Sequence, residues 1–232
     1  MNLYVGTSGY SYKEWKGKFY PADLPATKML RYYGEHFRAV EINGTFRAMP
    51  KPEVLQAWAA EVPPGFKFAL KAPQQITHIR RLNDVAEPLA RLIEVAGELG
   101  DRLAPFLFQL PPNFKKNLPR LQDFLALLPS TCRATFEFRH ASWFEDDVFD
   151  ALRAHRAALC ISDEVEDLPV PFAATADWGY LRLRRTDYDD AALNKWLGQV
   201  KRQKWQDVFV FFKHEDEATG PTLATKFVEM AS

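Results

Sequence analysis

The sequence predicts an α/β protein of the (β/α)8-barrel class. Three observations carry this: eight short apolar segments of strand type, segments of helical period between most of them, and prolines and glycines that separate one from the next. Parallel neighbours in a sheet need crossover connections, which the intervening helices provide. An open doubly wound sheet is the alternative, but eight units in 232 residues leave little for the long insertions that such wide sheets often carry. No linker or low-complexity stretch divides the chain, so residues 1–232 are read as one domain.

Leu3 to Thr7 is a short extended segment broken at Ser8-Gly9 and followed by an aromatic loop with Tyr10, Tyr12, Trp15, Phe19 and Tyr20. Met29, Leu30, Tyr33 and Phe37 then recur at helical spacing over residues 28–37, and Ala39 to Asn43 is the second strand. Pro52, well suited to a first turn, opens a helix with Val54, Leu55 and Trp58, and the strand Phe66 to Lys71 follows Pro63-Pro64-Gly65. A long helix is expected from Asp84 to Leu99, ending at Gly100, before the strand Phe106 to Leu110 and its stop at Pro111-Pro112. Leu118 to Leu128 is the next helix, and it leads to the strand that begins near Ala134. A helix over 144–155 precedes the strand 157–162. Pro169 and Pro171 interrupt residues 163–177 and no helical stripe is visible there, so the helix after the sixth strand is short or missing. Gly179 to Arg184, a helix over 191–204, Asp207 to Phe212 and a closing helix from about Thr222 to Met230 complete the count.

Composition excludes several classes. Thirty basic and thirty acidic residues cancel, so the chain has no global footprint of a nucleic-acid or membrane-surface binder. No apolar run approaches the roughly 20 residues of a membrane span. Cys132 and Cys160 form no CxxC pattern, and the start MNLYVGTSGY has neither a basic nor an apolar leader region, which together suit a reducing cytoplasm. There is no GxGxxG, Walker loop or GxSxG, and no HxH or HExxH pair to hold a metal, so neither an organic cofactor nor a metal is expected.

The polar residues fall where a barrel keeps its chemistry, at the carboxyl ends of strands. In Thr135-Phe136-Glu137-Phe138-Arg139-His140, period-two alternation sets Phe136 and Phe138 on one face and Thr135, Glu137 and Arg139 on the other. The same alternation elsewhere turns Ser8, Glu41, Asn43, Lys71, Gln109, Ser162, Tyr180, Arg182 and Arg184 towards the barrel mouth, with Lys213 or His214 joining from the eighth strand. Two acids against at least four bases should attract a phosphate or carboxylate, which guanidinium forks pair well. The bland alternative is a salt-bridge lattice that closes the barrel end and binds nothing. Glu41 and Glu137 could act as base or orienting acid, both held ionised by their cationic neighbours, with His140 as the proton shuttle at neutral pH. Arg139, Arg182, Lys71 and Lys213 are the expected anion clamps. His78, in a loop after the third strand, is a weaker candidate, and His36 and His155 read as surface residues. The aromatic loop, joined by Trp143, is either a packed lid or a stacking platform for a sugar or base.

These motifs resemble the YecE-like family, a domain of unknown function. The resemblance rests on Gly6-Thr7-Ser8-Gly9-Tyr10, Trp15-Lys16-Gly17, Phe19-Tyr20-Pro21, Glu41-Ile42-Asn43-Gly44-Thr45-Phe46, Phe108-Gln109-Leu110-Pro111-Pro112 and Glu137-Phe138-Arg139-His140 with Ser142-Trp143, in order along the chain. It implies a TIM-type barrel and supplies no established reaction. Its characteristic positions would be Ser8, Tyr10, Glu41, Asn43, Thr45, Lys71, Thr77, His78, Gln109, Glu137, Arg139, His140 and Trp143. Two departures stand out: Arg47 where a tyrosine is usual, and Lys213-His214-Glu215-Asp216 where many members have an asparagine-rich turn. The resulting expectation is an enzyme for a small anionic or phosphorylated substrate, hydrolytic or isomerising. The competing reading is a non-catalytic nucleic-acid or protein binding module, less favoured on net charge.

Overall fold

The computed structural model describes residues 1–213 and 216–231. Eight parallel strands close into one barrel in sequence order, the last pairing with the first. They are β1 (Asn2–Ser8), β2 (Ala39–Ile42), β3 (Lys67–Lys71), β4 (Leu103–Gln109), β5 (Ala134–Glu137), β6 (Ala158–Ser162), β7 (Trp178–Leu183) and β8 (Asp207–Phe212). Among the described residues the outer layer holds seven α-helices: α1 (Met29–His36), α2 (Pro52–Glu61), α3 (Ala86–Ala96), α4 (Leu118–Ala126), α5 (Asp146–Ala154), α6 (Asp190–Lys201) and α7 (Thr219–Ala231). None is long and apolar enough to cross a membrane.

Period-two alternation divides each strand between two cores. Phe68, Phe106, Phe108 and Phe136 point outward and pack beneath the helices, where Phe108 stacks on Phe136 at 5.4 Å. Ala39, Ala69, Leu107, Cys160, Tyr180, Phe209 and Phe211 point inward and plug the barrel, so its interior is a packed core and not a pore. Tyr4 stacks on Phe209 at 4.9 Å at the amino end of the strands. The next inward positions towards the carboxyl end are polar, because Glu41 pairs in register with Ser8, Gln109 with Glu137, and Ser162 with Arg182. The fold therefore places one tier of polar side chains on top of an apolar plug.

Element boundaries depart from expectation where backbone chemistry overrides the apolar pattern. β4 begins at Leu103 and not Phe106, and its register against β3 slips between Phe68 and Leu70, opposite Pro105, a residue that sheets tolerate at bulges because it has no N–H to donate. α3 begins at Ala86 and not Asp84, since Asp84 sits at φ 51°, outside helical space. Residues 163–177 contain no helix. Instead Thr175 Oγ1 donates to Ala157 O (2.7 Å) and accepts from Leu159 N–H (2.8 Å), while Phe172 stacks on Trp205. The loop thus covers the flank that a helix covers elsewhere.

Candidate active site

The polar tier is an ion-pair lattice centred on Arg182. Its Nε and Nη2 donate to Glu41 (3.0 and 2.9 Å), and its Nη1 donates to Glu137, so one guanidinium joins carboxylates from opposite sides of the barrel. All three are buried. Glu41 accepts six hydrogen bonds in all: two from Arg182 and one each from Ser8 Oγ (2.6 Å), Tyr180 OH (2.7 Å), Arg184 Nη2 (3.1 Å) and Asn43 Nδ2 (3.3 Å). A carboxylate offers roughly four lone-pair directions, so Glu41 has none open for a substrate proton. Glu137 accepts from Gln109 Nε2 and from Arg139 Nε (2.9 Å) besides Arg182.

The electrostatics follow from this geometry. Burial pushes both carboxyl groups up, but the charges of Arg182 and Arg184 hold Glu41 well below the usual carboxylate range, and those of Arg182, Arg139 and Arg184 bring Glu137 down to about 2. Both acids are therefore ionised, as expected, yet they are committed to orienting guanidiniums. Of the two parts expected of Glu41 and Glu137, base or orienting acid, these hydrogen bonds suit the orienting one. Arg182, expected as an anion clamp, has its Nε, Nη1 and Nη2 donors engaged by these two carboxylates while its side chain also lines the cavity above.

Above the lattice lies a cavity of about 440 Å³ lined by six cationic side chains, Arg47, Lys71, Arg139, Arg182, Arg184 and Lys213, and by one carboxylate, Glu164. A cavity of the same volume at the other end of the barrel differs in charge: Lys67 there donates to the Asp101 carbonyl and Arg133 pairs with Asp207 at 2.6 Å. Lys71 Nζ donates to Gln109 Oε1 at 2.8 Å and sits 4.3 Å from the centre of the Phe46 ring. Among the described residues no carboxylate pairs with it directly. Burial, followed by the Arg182 charge, lowers its pKa to about 8, against the opposing pull of Glu137 and Glu41.

The structure brings Ser8, Asn43, Lys71, Gln109, Arg139, Arg182 and Lys213 to this mouth and leaves three expected residues away from it. Tyr10 packs towards α1, 6.2 Å from Tyr33, and its carbonyl accepts from Tyr20 OH. Trp143 is fully buried, stacked on Phe138 at 4.7 Å with its Nε1 donating to Phe114 O, so no face is left for a ligand. His140 Nδ1 accepts from Ser142 N–H at 3.1 Å and caps the turn Ala141–Trp143, and its side chain is not among those that line the cavity. His78 is the histidine beside the cations: its ring stands edge-on to Phe46 at 4.8 Å, and burial together with Lys71 and Arg139 lowers its pKa. Of the eighth-strand pair, Lys213 lines the cavity, in phase with Phe209 and Phe211, whereas His214 and Glu215 lie outside the described residues.

Four contributors to the mouth were not among the expected site residues. Glu164, which pairs with Arg139, stands two residues past Ser162 and so continues the inward phase of β6 beyond its end. Phe46 and Arg47 follow Asn43 in a tight turn, and Tyr12 enters the mouth with its OH on Ser8 O at 2.7 Å. Loop residues carry no period, so only position after a strand could have flagged them. The rest of the aromatic loop is a packed lid, with Trp15 and Tyr20 each 1% exposed.

Residues 4–232 match the model of a protein of unknown function, DUF72. The chain belongs to the DUF72 family. It is 32% identical to the UPF0759 protein YecE of Escherichia coli (strain K12) over 250 aligned positions, covering 95% of this chain and 89% of that one. The UPF0759 protein YunF of Bacillus subtilis (strain 168) is 24% identical, covering 93% and 79%. Among solved structures, a DUF72 family protein from Thermotoga maritima superposes with a TM-score of 0.88 at 27% identity over 99% of both chains. The YecE-like resemblance and the TIM-type barrel both stand.

Proposed function

We propose that this DUF72 protein is an enzyme that takes a small anionic or phosphorylated substrate at the carboxyl-end mouth of its barrel and performs a hydrolytic or isomerising reaction there. The observation that supports this most is the charge around the mouth cavity: six cations line it, against Glu164 at the rim and Glu41 and Glu137 in the floor. In this reading Lys71, Lys213 and Arg47 hold the anion with the outer side of Arg139, while Arg182 and Arg184 add a fixed positive field from below. Such donors, held in place beforehand, stabilise developing negative charge without reorganising. Glu41 and Glu137 keep the guanidiniums ordered. His78, whose lowered pKa keeps it neutral near pH 7, takes the proton-transfer part expected of His140. The packing of the aromatic lid counts against a base-stacking surface, so the nucleic-acid module stays the less favoured reading. Two free thiols suit a cytoplasmic setting.

A thermal-shift screen of phosphorylated metabolites, sugar acids and oligonucleotides tests the reading. A site ligand at about 100 times Kd adds about 2.7 kcal/mol and so raises Tm by roughly 5–10 °C. The gain should vanish in a Lys71→Met, Lys213→Met double variant. Stabilisation by oligonucleotides alone, falling steeply with salt, would replace the reading with the binding module. No metal or organic cofactor belongs to the proposal, so elemental analysis should return no stoichiometric zinc, manganese or iron.

A further inference from the structure

We propose that Lys71 is the nucleophile of this mouth and condenses with the carbonyl carbon of a small anionic aldehyde or ketone to form an imine. This rests on the anion-site reading above and narrows its substrate class to carbonyl-bearing anions. The geometry is specific to Lys71. Its Nζ lines the cavity, lies on the Phe46 ring and donates to a neutral amide, Gln109 Oε1, in place of a carboxylate. Its backbone is pinned by Thr45 Oγ1, which donates to Lys71 O at 2.6 Å. An amine used only to hold charge gains most from a direct carboxylate partner. One that must lose its proton is served by burial and a neighbouring cation, which is how amine nucleophiles are activated.

On balance, burial and the charged groups facing Lys71 from around the barrel act in that direction. Burial and Arg182 on β7 disfavour the ammonium, as does Arg139 beyond β5, and they outweigh Glu137 on β5 and Glu41 on β2. Its pKa of about 8 leaves about half of it as free amine at pH 8, where well under a hundredth of an ordinary lysine is neutral. In the reaction the nitrogen lone pair forms a C–N bond as the carbonyl π electrons move to oxygen. That oxygen takes a proton and the nitrogen gives one up to solvent, which leaves a neutral carbinolamine. After the hydroxyl takes a second proton, the nitrogen lone pair forms the C=N bond as the C–O bond breaks and water leaves, and loss of the remaining N–H proton turns the protonated imine into the neutral one. Amine and carbonyl thus give imine and water, with no redox partner. Arg139 and Lys213 on the cavity wall hold the anionic group of the same molecule. A protonated imine draws electrons from the adjacent carbon more strongly than the parent carbonyl, which favours the isomerising branch.

The test is reductive trapping on the full chain. Protein is incubated with glycolaldehyde phosphate at pH 8, reduced with sodium cyanoborohydride and mapped by peptide mass spectrometry, with inorganic phosphate thermal shift run alongside. The expected result is one adduct per chain at Lys71, at least about tenfold above any other lysine. Excess inorganic phosphate should suppress it, and Lys71→Arg should lack it. Adducts spread evenly over surface lysines, with phosphate still stabilising the fold, overturn the imine and leave the anion site standing. Failure of both labelling and stabilisation overturns the two together. Because the map is made on the unmodified sequence, poor folding of the Lys71→Arg variant does not blunt it.

Discussion

Removing the Glu137 carboxylate leaves Arg139 and Arg182 side by side over an apolar plug, with Gln109 Nε2 stripped of its acceptor. Breaking a buried pair on one side costs on the order of 3–5 kcal/mol, and Glu137→Ala should show a loss of that size in urea unfolding at pH 7. An unchanged midpoint would mean that the arginines relax outward and that the lattice is not structural. The same residue shapes the acid limb. Its folded pKa is depressed, from an ordinary 4.5 to about 2, so its contribution is complete above 4.5 and is lost as pH falls towards 2. The variant should flatten that limb. Lys71 has the opposite sign. Its pKa drops from 10.5 to about 8, so the unfolded chain binds more protons between those values and stability rises with pH across that window. Lys71→Met should abolish that rise, and a rise that persists would assign it elsewhere. Most of these inward residues were legible from period-two alternation, because strand phase is a rigid geometric rule. What the partners do was not, since Glu41 with six donors and a Glu41 with one look the same in sequence.

At the level of elements, the close approach of β1 to β2 decides whether the mouth can form. A Cβ on Gly6 would lie 1.8 Å from the Ala39 carbonyl oxygen and 2.7 Å from Tyr33 OH. Neither can retreat, because Tyr33 OH accepts from Thr7 N–H at 2.7 Å and donates to Ala39 O at 3.0 Å, tying α1 to both strands. Overpacking costs typically 1–3 kcal/mol and more against backbone, so Gly6→Ala should lose on the order of 3 kcal/mol or more. Circular dichroism during urea titration reads this, and a wild-type midpoint would contradict the strand register described. The strands and helices themselves were largely legible, and the misses have local causes. Pro105 hid the start of β4, and left-handed backbone at Arg81, Leu82 and Asp84 delayed α3. Trp143 and Tyr10 misled for another reason: an aromatic after a strand can turn to either side, and only the neighbouring Phe138 and Tyr33 show which.

Across the whole molecule the formal charge is zero, yet the charge is not spread evenly. The mouth concentrates cations over an ionised lattice, while the opposite end pairs Arg133 with Asp207. Neutrality overall keeps long-range attraction to polyanions weak, and under the function proposed above the local excess selects a small anion at short range. A crystal structure of the protein with bound inorganic phosphate or sulfate tests this partition most directly. The anion is expected in the mouth cavity, within hydrogen-bonding distance of Lys71, Arg139 or Lys213, with Arg182 still joining Glu41 to Glu137 beneath it. An anion bound only at the opposite end beside Lys67 and Arg133, or a mouth in which Lys71 has swung onto Glu137 and the anion is excluded, would contradict it.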